Sequence, residues 1–344
     1  MSKITLENIS QTLGISKNTV SKALRGAPGV SDELRHRIIH LASEIGYTKI
    51  VQSPGSSLNN ITVIGRKCFL AEVTFWPKVL YGITHYASER DIKISITNID
   101  ETKEDNPSTL SSIISHSSDG YIIIGTISDL LLKKIVATKV PTVVVDHLSN
   151  EVDCDYINSS NKNGIYKAVK HLYQTNHRNI GFIGNSYYAS SFEERYRAYL
   201  EYMKGFSLPV LSEFVWLDAE YFDTQYYKNK IDLYKTHKSF PTAWVCVNDK
   251  TALTFMNALM ALGIKVPDDM SIVGFDDIPG FSYPGLTTIE VPKQSLGEKA
   301  VEQILYRAQN PEAPYVNIVL ITQLIHRGTV KSLSTNVPIE CKQE

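Results

Sequence analysis

The sequence predicts a small all-α head followed by a larger α/β domain that contains two units with parallel sheets. Its 344 residues exceed the length of one ordinary domain. Residues 1–47 contain short amphipathic helical patterns, whereas from residue 61 onward short apolar runs alternate with amphipathic stretches. Strand candidates such as 121–124 are apolar on both faces, as in parallel strands that helices cover on both sides.

The composition is typical of a soluble globular protein, with 43% hydrophobic and 21% charged residues. It excludes collagen-like and wholly disordered classes. The sequence contains neither a long uninterrupted apolar run nor an apolar leader, so we expect no membrane span and no secretion. The cysteines are widely spaced, which favours a reducing cytoplasm and no metal site: Cys68, Cys154, Cys246 and Cys341.

Charge is distributed unevenly along the chain, although the net charge is only −1. Residues 1–60 carry seven Lys or Arg and four Asp or Glu, and the remaining residues carry an excess of acids. A small basic segment joined to an acidic body is typical of a nucleic-acid-binding module attached to a second domain. This asymmetry favours nucleic acid as the partner of the head.

The head contains two short helical patterns separated by a glycine. Thr5 can cap a first helix, whose apolar residues recur at helical spacing over 6–13. Gly14 breaks the pattern, and Ser16 can cap a second helix with apolar residues on one face and Lys, Asn and Ser on the other. A third helix is predicted from a cap at Ser31 to a glycine at 46. The pattern favours a helix-turn-helix, and a helical bundle with a solvated polar face is the alternative.

The head closely resembles the DNA-binding head of the lactose-repressor (LacI) family of bacterial transcription regulators. The resemblance lies in ITLENISQTLGISKNTVSKAL at 4–24, in GAPGVS at 26–31 and in IGY at 45–47. It implies base contacts from the exposed face of the second helix, at Lys17, Asn18 and Lys22. Hydroxyl and basic residues around them are assigned to phosphate: Thr5, Ser16, Thr19, Ser21, Arg25 and Ser31. Since one helix-turn-helix reads only a half-site, we expect a homodimer on a double-stranded DNA operator.

Residues 48–60 form a linker in which the sequence departs from that family. Members usually carry a hinge helix here, and a leucine of that helix enters the minor groove. Pro54 and Gly55 disfavour a helix across 49–58, and the Ser, Gly and Asn content favours a flexible linker. Leu58 either inserts into the minor groove or packs onto the following domain. We therefore expect an atypical hinge.

The body, from residue 61 onward, contains alternating strand and helix patterns. The predicted strands are 61–65, 92–97, 120–125, 142–146, 180–184, 243–247 and 271–275. The predicted helices include 77–90, 161–175, 193–204 and 250–262. Two such α/β units form a ligand cleft beyond the carboxyl ends of their strands.

The LacI-family resemblance continues through the body, in NIGFIG at 179–184, VND at 247–249, SIVGFDDIP at 271–279, LTTI at 286–289 and HRGT at 326–329. It implies the two-subdomain fold of type I periplasmic binding proteins, in which the chain crosses between subdomains near Asn161, Glu290 and Leu320. The implied domains are a head at 1–47, an effector-binding and dimerisation domain at 61–330, and a tail at 331–344. The subdomains comprise about 61–160 plus 291–320, and 162–289 plus 321–330.

Polar residues at strand ends are the candidate contacts for a small-molecule effector, because three of them directly follow a predicted strand. The resemblance adds an arginine that holds the ligand in relatives and an aromatic pair that enters the first helix of the body. The full set is Phe75, Trp76, Asp146, Arg195, Asn248 and Asp276. Carboxylate, amide and guanidinium groups beside aromatic faces are typical of sugar sites. We therefore expect a sugar or sugar derivative as the effector.

Two pairs of charged residues remain open to more than one interpretation. Asp249 and Asp277 either cap a helix or contact the ligand. Arg66 and Lys67, just after the first strand, either meet an anionic group such as a sugar phosphate or form a solvated face.

These observations favour a ligand-responsive DNA-binding regulator, usually a repressor in the resembling family. The phosphate-loop, zinc-helix, dinucleotide and nucleophile-elbow motifs are missing from the sequence, so we expect neither an enzyme nor a cofactor. Two alternatives come from other classes. One is a small-molecule receptor without a DNA role, and the other is an α/β enzyme that carries a vestigial head.

Overall fold

The computed structural model describes residues 6–24, 29–31, 34, 37–38, 41, 58–114, 118–185, 188–218, 223–278 and 285–334. In the head, helix α1 spans Leu6–Leu13 and helix α2 spans Lys17–Leu24. Gly14 lies between them with a positive φ of 64°, which a residue with a side chain rarely adopts. Ile9, Val20 and Ile38 are fully buried and form the core of the head. Leu34, Ile38 and Leu41 are helical, and Ile45 and Gly46 of the predicted third helix lie outside the described residues.

The body contains twelve strands within its described residues. The strands are β1 Asn60–Arg66, β2 Lys93–Ile99, β3 Gly120–Ile124, β4 Thr142–Val145, β5 Asp155–Ser159, β6 Ile180–Ile183, β7 Val215–Trp216, β8 Ala243–Cys246, β9 Ser271–Val273, β10 Thr288–Glu290, β11 Asn317–Leu320 and β12 Gln323–Ile325. The helices are α3 Lys67–Leu70, α4 Trp76–Ser88, α5 Pro107–Ile114, α6 Asp129–Val136, α7 Asn161–Gln174, α8 Ser190–Gly205, α9 Thr224–Tyr234, α10 Asp249–Ala261 and α11 Lys293–Gln309.

The strands form two parallel sheets and one short antiparallel ribbon. The first sheet has the order β11-β5-β4-β3-β1-β2, and the second has the order β7-β6-β8-β9. Strands β10 and β12 pair antiparallel, with Ile289 opposite Leu324. The chain leaves the first sheet after β5, returns to it through α11 and β11, and then pairs β12 with β10. The predicted class, a helical head followed by parallel α/β units, is confirmed.

All seven predicted strands are present, each with ends within two residues of the predicted ones. The sequence analysis missed β5, β7, β10, β11 and β12. Strand β7 has only two residues, and β11 has an alternating exposed pattern at the edge of the first sheet. Such segments lack the continuous apolar run that marks a central parallel strand. Among the described residues, no helix is both long and apolar enough to cross a membrane.

The structure decides between the two alternatives for Leu58. Its side chain is 5% exposed and belongs to the core cluster that contains Ile61 and Val63 of β1. Leu58 therefore packs onto the body in this conformation and is not presented as a wedge for the minor groove. Pro54, Gly55 and the remainder of the predicted atypical hinge up to residue 57 lie outside the described residues.

Helices α4 and α11 pack against each other with almost no space between their backbones. An added Cβ at Gly297 would overlap the carbonyl oxygen of Val79, and one at Gly82 would overlap the carbonyl oxygen of Gln294. Because the obstacles are backbone atoms, a rotamer change cannot relieve the overlap. Glycine at both positions lets α11 lie against α4 and the first sheet.

We expect Gly297→Ala to destabilise the body, because α11 has to move away from α4. Overpacking of this kind costs about 1–3 kcal/mol in the free energy of unfolding. Gly205→Ala, at the end of α8, is the matched control, since an added Cβ there meets nothing within 4 Å. The measurement is thermal unfolding of both variants. Equal melting temperatures for the two variants would show that the helix contact adapts freely.

Candidate functional site

The helix-turn-helix displays a polar face on α2. Ser16 caps this helix, because its Oγ accepts a hydrogen bond from the Thr19 amide at 3.0 Å. Val20 and Ala23 are buried against the rest of the head, whereas the three predicted base-contact residues are all exposed. These residues are Lys17, Asn18 and Lys22. The caps and the spacing of apolar residues thus leave one face of α2 open to a partner.

Several of the predicted DNA contacts already have partners within the head. Lys17 forms an ion pair with Glu7 at 2.8 Å, and both side chains are exposed, so the pair adds little stability. The hydroxyls of Ser16 and Thr19 lie 2.8 Å apart. Ser31 accepts a hydrogen bond from the Leu34 amide at 3.4 Å, as a cap of the third helix would. Ser21 is half-buried on α2, and Thr5 and Arg25 lie outside the described residues.

A cavity of about 390 Å³ lies at the carboxyl ends of the strands of both parallel sheets. The structure brings all six sequence-predicted effector contacts to its wall: Phe75, Trp76, Asp146, Arg195, Asn248 and Asp276. Three of them lie at the ends of β4, β8 and β9, the aromatic pair lies at the start of α4, and the arginine is in α8. Parallel strands direct their carboxyl ends to one edge of a sheet, which is why these separate positions meet.

Arg195 is 1% exposed and connects three segments of the second unit. Its Nε donates to Asn161 Oδ1 at 2.8 Å, and its Nη1 donates to the Val247 carbonyl at 2.8 Å. Nη1 also lies 3.2 Å from Asp276 Oδ1, in an ion pair without the geometry of a directed hydrogen bond. The guanidinium stacks over the ring of Phe275 at 3.7 Å. These contacts hold Arg195 rigidly beside the cavity.

Two buried carboxyl groups face the cavity from opposite units. Burial raises the pKa of Asp146 to about 7, although the charge of Arg195 opposes that shift. Burial also raises the pKa of Asp276, again against Arg195 and Lys293. Among the described residues, the Oδ1 atom of Asp146 has no hydrogen-bond partner and that of Asp276 has only the ion pair, and both atoms are shielded from solvent. Both residues line the cavity, so their carboxyl groups are candidate acceptors for a bound ligand.

The Asn248-Asp249 pair has roles that differ from the sequence expectation. Asn248 is the helix cap, since its Oδ1 accepts from the Thr251 amide at 3.0 Å at the start of α10. Asp249 neither caps the helix nor lines the cavity. It accepts from the Thr288 hydroxyl at 2.5 Å and from the Ile278 amide at 2.9 Å, so it organises the segment that carries Asp276. Both interpretations of Asp249 are therefore wrong.

The remaining charged candidates are engaged in ion pairs away from the cavity wall. Asp277 pairs with Arg327 at 2.8 Å and does not line the cavity, and the segment that it could cap extends into 279–284, outside the described residues. Arg66 pairs with the buried Glu104 at 2.6 Å, and Lys67 pairs with Asp100 at 3.3 Å. None of these side chains lines the cavity. The suggestion that Arg66 and Lys67 meet an anionic ligand there is wrong.

Sequence reasoning missed an ion pair in the cavity wall between Glu72 and Lys250. The Lys250 Nζ lies 2.6 Å from Glu72 Oε1, and both side chains are less than one-fifth exposed. Burial opposes ionisation of Glu72, but hydrogen bonds from Lys250, Thr74 and the Phe75 amide lower its pKa to about 2. Glu72 precedes the helix that begins at Trp76, and Lys250 belongs to α10 of the other unit. The ion pair between them therefore depends on how the two units are arranged relative to each other.

Aromatic side chains complete the wall. The rings of Phe75 and Trp76 lie 5.0 Å apart in an edge-to-face arrangement, and Phe69 lies 5.6 Å from Trp76. Tyr188 and Phe192 line the cavity from the second unit. The site thus combines aromatic faces with hydrogen-bond acceptors, a combination suited to a polar ring.

Comparison with known proteins gives two family matches. Residues 5–49 match the bacterial regulatory proteins of the lacI family, and residues 169–330 match a periplasmic binding protein-like domain. The chain is 28% identical to the ribose operon repressor of Haemophilus influenzae, over 96% of this chain and 99% of that protein. It is 27% identical to the probable HTH-type transcriptional repressor ExuR of Bacillus subtilis, over 96% and 100% of the two chains.

The solved structure of the transcriptional regulator CelR in complex with cellobiose has a similar fold. Its TM-score is 0.71 at 21% identity, over 95% of this chain and 99% of that chain. The helix-turn-helix, the paired parallel sheets and these matches together define a DNA-binding regulator with a periplasmic-binding-protein-like body. The chain thus contains a helix-turn-helix domain of the lacI type and a periplasmic-binding-protein-like domain, and the relatives that it matches over almost their whole length are named as repressors.

We expect Asp146→Asn to stabilise the ligand-free protein more at pH 8 than at pH 5. Because the folded pKa is raised above the unfolded value, stability falls as pH rises from about 4 through 7. The uncharged amide avoids burying the charge, so its gain at pH 8 should exceed its gain at pH 5 by on the order of 2–3 kcal/mol. Thermal unfolding at both pH values is the measurement. A gain of equal size at pH 5 would contradict a raised pKa as its cause.

Proposed function

We propose that this protein is a sequence-specific transcription regulator, acting as a repressor, whose affinity for its DNA operator is controlled by a small molecule in the cavity. One observation carries the proposal. The same chain joins a helix-turn-helix with an exposed Lys and Asn face to a cavity whose wall contains carboxyl oxygens without partners. The relatives described above are named as repressors, which favours repression.

The effector we propose is a sugar or sugar derivative. Sugar hydroxyls donate hydrogen bonds, and the Asp146 and Asp276 carboxyl groups are acceptors in reach of a cavity ligand. The apolar faces of sugar rings pack on aromatic side chains such as Phe75 and Trp76. One relative is named a ribose operon repressor, and the CelR structure is described as a cellobiose complex, which supports the same class.

The proposed mechanism follows from the fact that the wall residues belong to two different units. Phe75, Trp76 and Asp146 belong to the first unit, whereas Arg195, Asn248 and Asp276 belong to the second. A ligand that contacts both groups binds more tightly to one relative arrangement of the units than to another. Rotation between the units then changes the separation of two heads and therefore the fit to DNA.

We propose a homodimer as the DNA-binding form, because α2 of one chain reads one half-site. Two copies related by a two-fold axis would contact half-sites about one helical turn apart, roughly 34 Å. The place of action we propose is the bacterial cytoplasm, where the operator DNA lies.

We further propose that the protein is not an enzyme and needs no cofactor. The Arg195 guanidinium, a group that could stabilise a developing charge, is held by Asn161, Val247 and Asp276. Its contacts suit a rigid binding wall better than a reacting centre. A turnover assay with the bound sugar would test this directly, and formation of any product would contradict it.

We expect Asn18→Ala to relax base preference at one operator position. An amide that bonds adenine bidentately discriminates between bases by about 1–3 kcal/mol. Gel-shift titrations on operators randomised at single positions measure the effect. Gln11→Ala, exposed on α1, is the control and should leave the preference unchanged. If Asn18→Ala weakens binding equally for all sequences, Asn18 contacts phosphate or supports the helix.

We expect Asp276→Ala to lose the thermal stabilisation that a bound sugar produces, while the operator affinity of the ligand-free protein stays nearly intact. A ligand that binds only the folded state raises the melting temperature, so loss of its contacts removes the shift. Ribose and cellobiose are the first probes, followed by further mono- and disaccharides. A full thermal shift in the variant would remove Asp276 from the site.

A further inference from the structure

Most charged side chains in the cavity wall are paired with one another. Among the described residues, five ionisable side chains line the cavity: Glu72, Asp146, Arg195, Lys250 and Asp276. The two cations come from the second unit, and each contacts a carboxylate. Asp146 is partly protonated near neutral pH because burial raises its pKa to about 7, but even then the acids balance the bases and the wall offers no net positive charge to an anionic ligand.

Each cation in the wall is paired with a carboxylate. Arg195 directs its Nε and Nη1 to Asn161, Val247 and Asp276. Lys250 is neutralised by Glu72 at 2.6 Å. Behind the wall, the buried Lys293 ammonium donates to the backbone carbonyls of three residues: Asp276, Asp277 and Val291. A ligand carboxylate or phosphate would have to displace one of these partners to gain a counter-charge.

The wall also contains two carboxyl groups that are not paired with Lys250, those of Asp146 and Asp276. A carboxyl oxygen accepts a hydrogen bond from a ligand hydroxyl. A ligand anion supplies no donor at its charged group and adds repulsion in a site with little water.

Resting on the proposed function, we propose that Glu72 determines the charge specificity of the site by neutralising Lys250. The cavity then selects an uncharged, hydroxyl-rich ligand over the carboxylate- or phosphate-bearing form of the same molecule. Glu72 can do this because it is held in place. Its carboxylate accepts hydrogen bonds from the Phe75 amide at 2.7 Å and the Trp76 amide at 3.2 Å. Glu72 thus accepts hydrogen bonds from the amides at the start of α4 and is also the counter-ion of Lys250.

Glu72→Gln tests this assignment with little change in shape. The amide oxygen can still accept from the Phe75 amide at the start of α4, whereas the Thr74 amide and Lys250 lose their shared acceptor and Lys250 loses its counter-charge. The probes are matched pairs: D-glucose with D-glucuronate, D-galactose with D-galacturonate, and D-ribose with D-ribose 5-phosphate. Thermal shift identifies the binding pair, and calorimetric titration of the full chain gives both affinities.

In the unsubstituted protein we expect the uncharged member of at least one pair to bind at least tenfold more tightly than its anionic partner. In the Glu72→Gln variant, the affinity for the anionic sugar divided by the affinity for its uncharged partner should rise at least tenfold. Adding Lys250→Met to that variant should remove the gain. Glu302→Gln is the charge-matched control, because its ion pair with Lys299 lies on the exposed surface of α11. It should leave the ratio unchanged.

A second variant covers the case in which Glu72→Gln fails to fold. Lys250→Met leaves the Glu72 carboxylate without its cation, so the affinity for D-glucosamine relative to D-glucose should rise instead. The proposal is overturned if an anionic sugar binds the unsubstituted protein as tightly as its uncharged partner. It is also overturned if no uncharged sugar in the panel binds, or if the Glu72→Gln gain survives without Lys250.

Operator gel shifts on the same samples separate this proposal from the proposed function. Intact operator binding without charge selectivity overturns only the role of Glu72. Selective sugar binding without operator binding overturns only the DNA-binding function.

Discussion

The buried guanidinium of Arg195 is the interaction on which the ligand side of this protein depends. It connects the start of α7, the end of β8 and the end of β9 through Asn161, Val247 and Asp276. A charge at that depth is tolerated because Nε and Nη1 meet acceptors, Asp276 supplies a counter-charge and the ring of Phe275 covers one face. Loss of one partner of such a buried pair costs about 3–5 kcal/mol, so the geometry of these strand ends is tightly specified.

The same constraint extends to the contact between the two units. Lys293, at the start of α11, donates to the carbonyls of Asp276 and Asp277 in the other unit. Glu72 and Lys250 make a second connection across the cavity. Of these two connections, the Glu72–Lys250 pair also lines the cavity. Under the proposed function, a ligand that contacts this pair would couple its binding to the relative arrangement of the units.

The head is stabilised by a small apolar core and by helix caps. A few apolar residues around Ile9 and Val20 form its core, and caps at the helix starts orient the polar face of α2. Its candidate DNA contacts are exposed, and the Lys17–Glu7 pair exchanges readily with solvent. The head presents its contacts without burying a charge, whereas the cavity holds its contacts through buried charges.

By itself the sequence determined the class of each segment and the positions of the cavity residues. Apolar periodicity depends on near neighbours, so α1, α2 and the central strands could be predicted from it. Strand ends meet at one edge in a parallel sheet, so Asp146, Asn248 and Asp276 could be expected together. The Arg195 and aromatic positions came from resemblance to a known family.

Only the tertiary structure decided what the neighbouring charges do. Nothing local distinguishes Asn248, which caps α10, from Asp249, which holds the segment before Asp276. Arg66 forms a structural ion pair because Glu104 lies beside it, and Lys250 meets Glu72 only because the start of α10 faces the segment before α4. The partner of a charged side chain is set by the packing of whole units, and local sequence patterns carry no information about that packing.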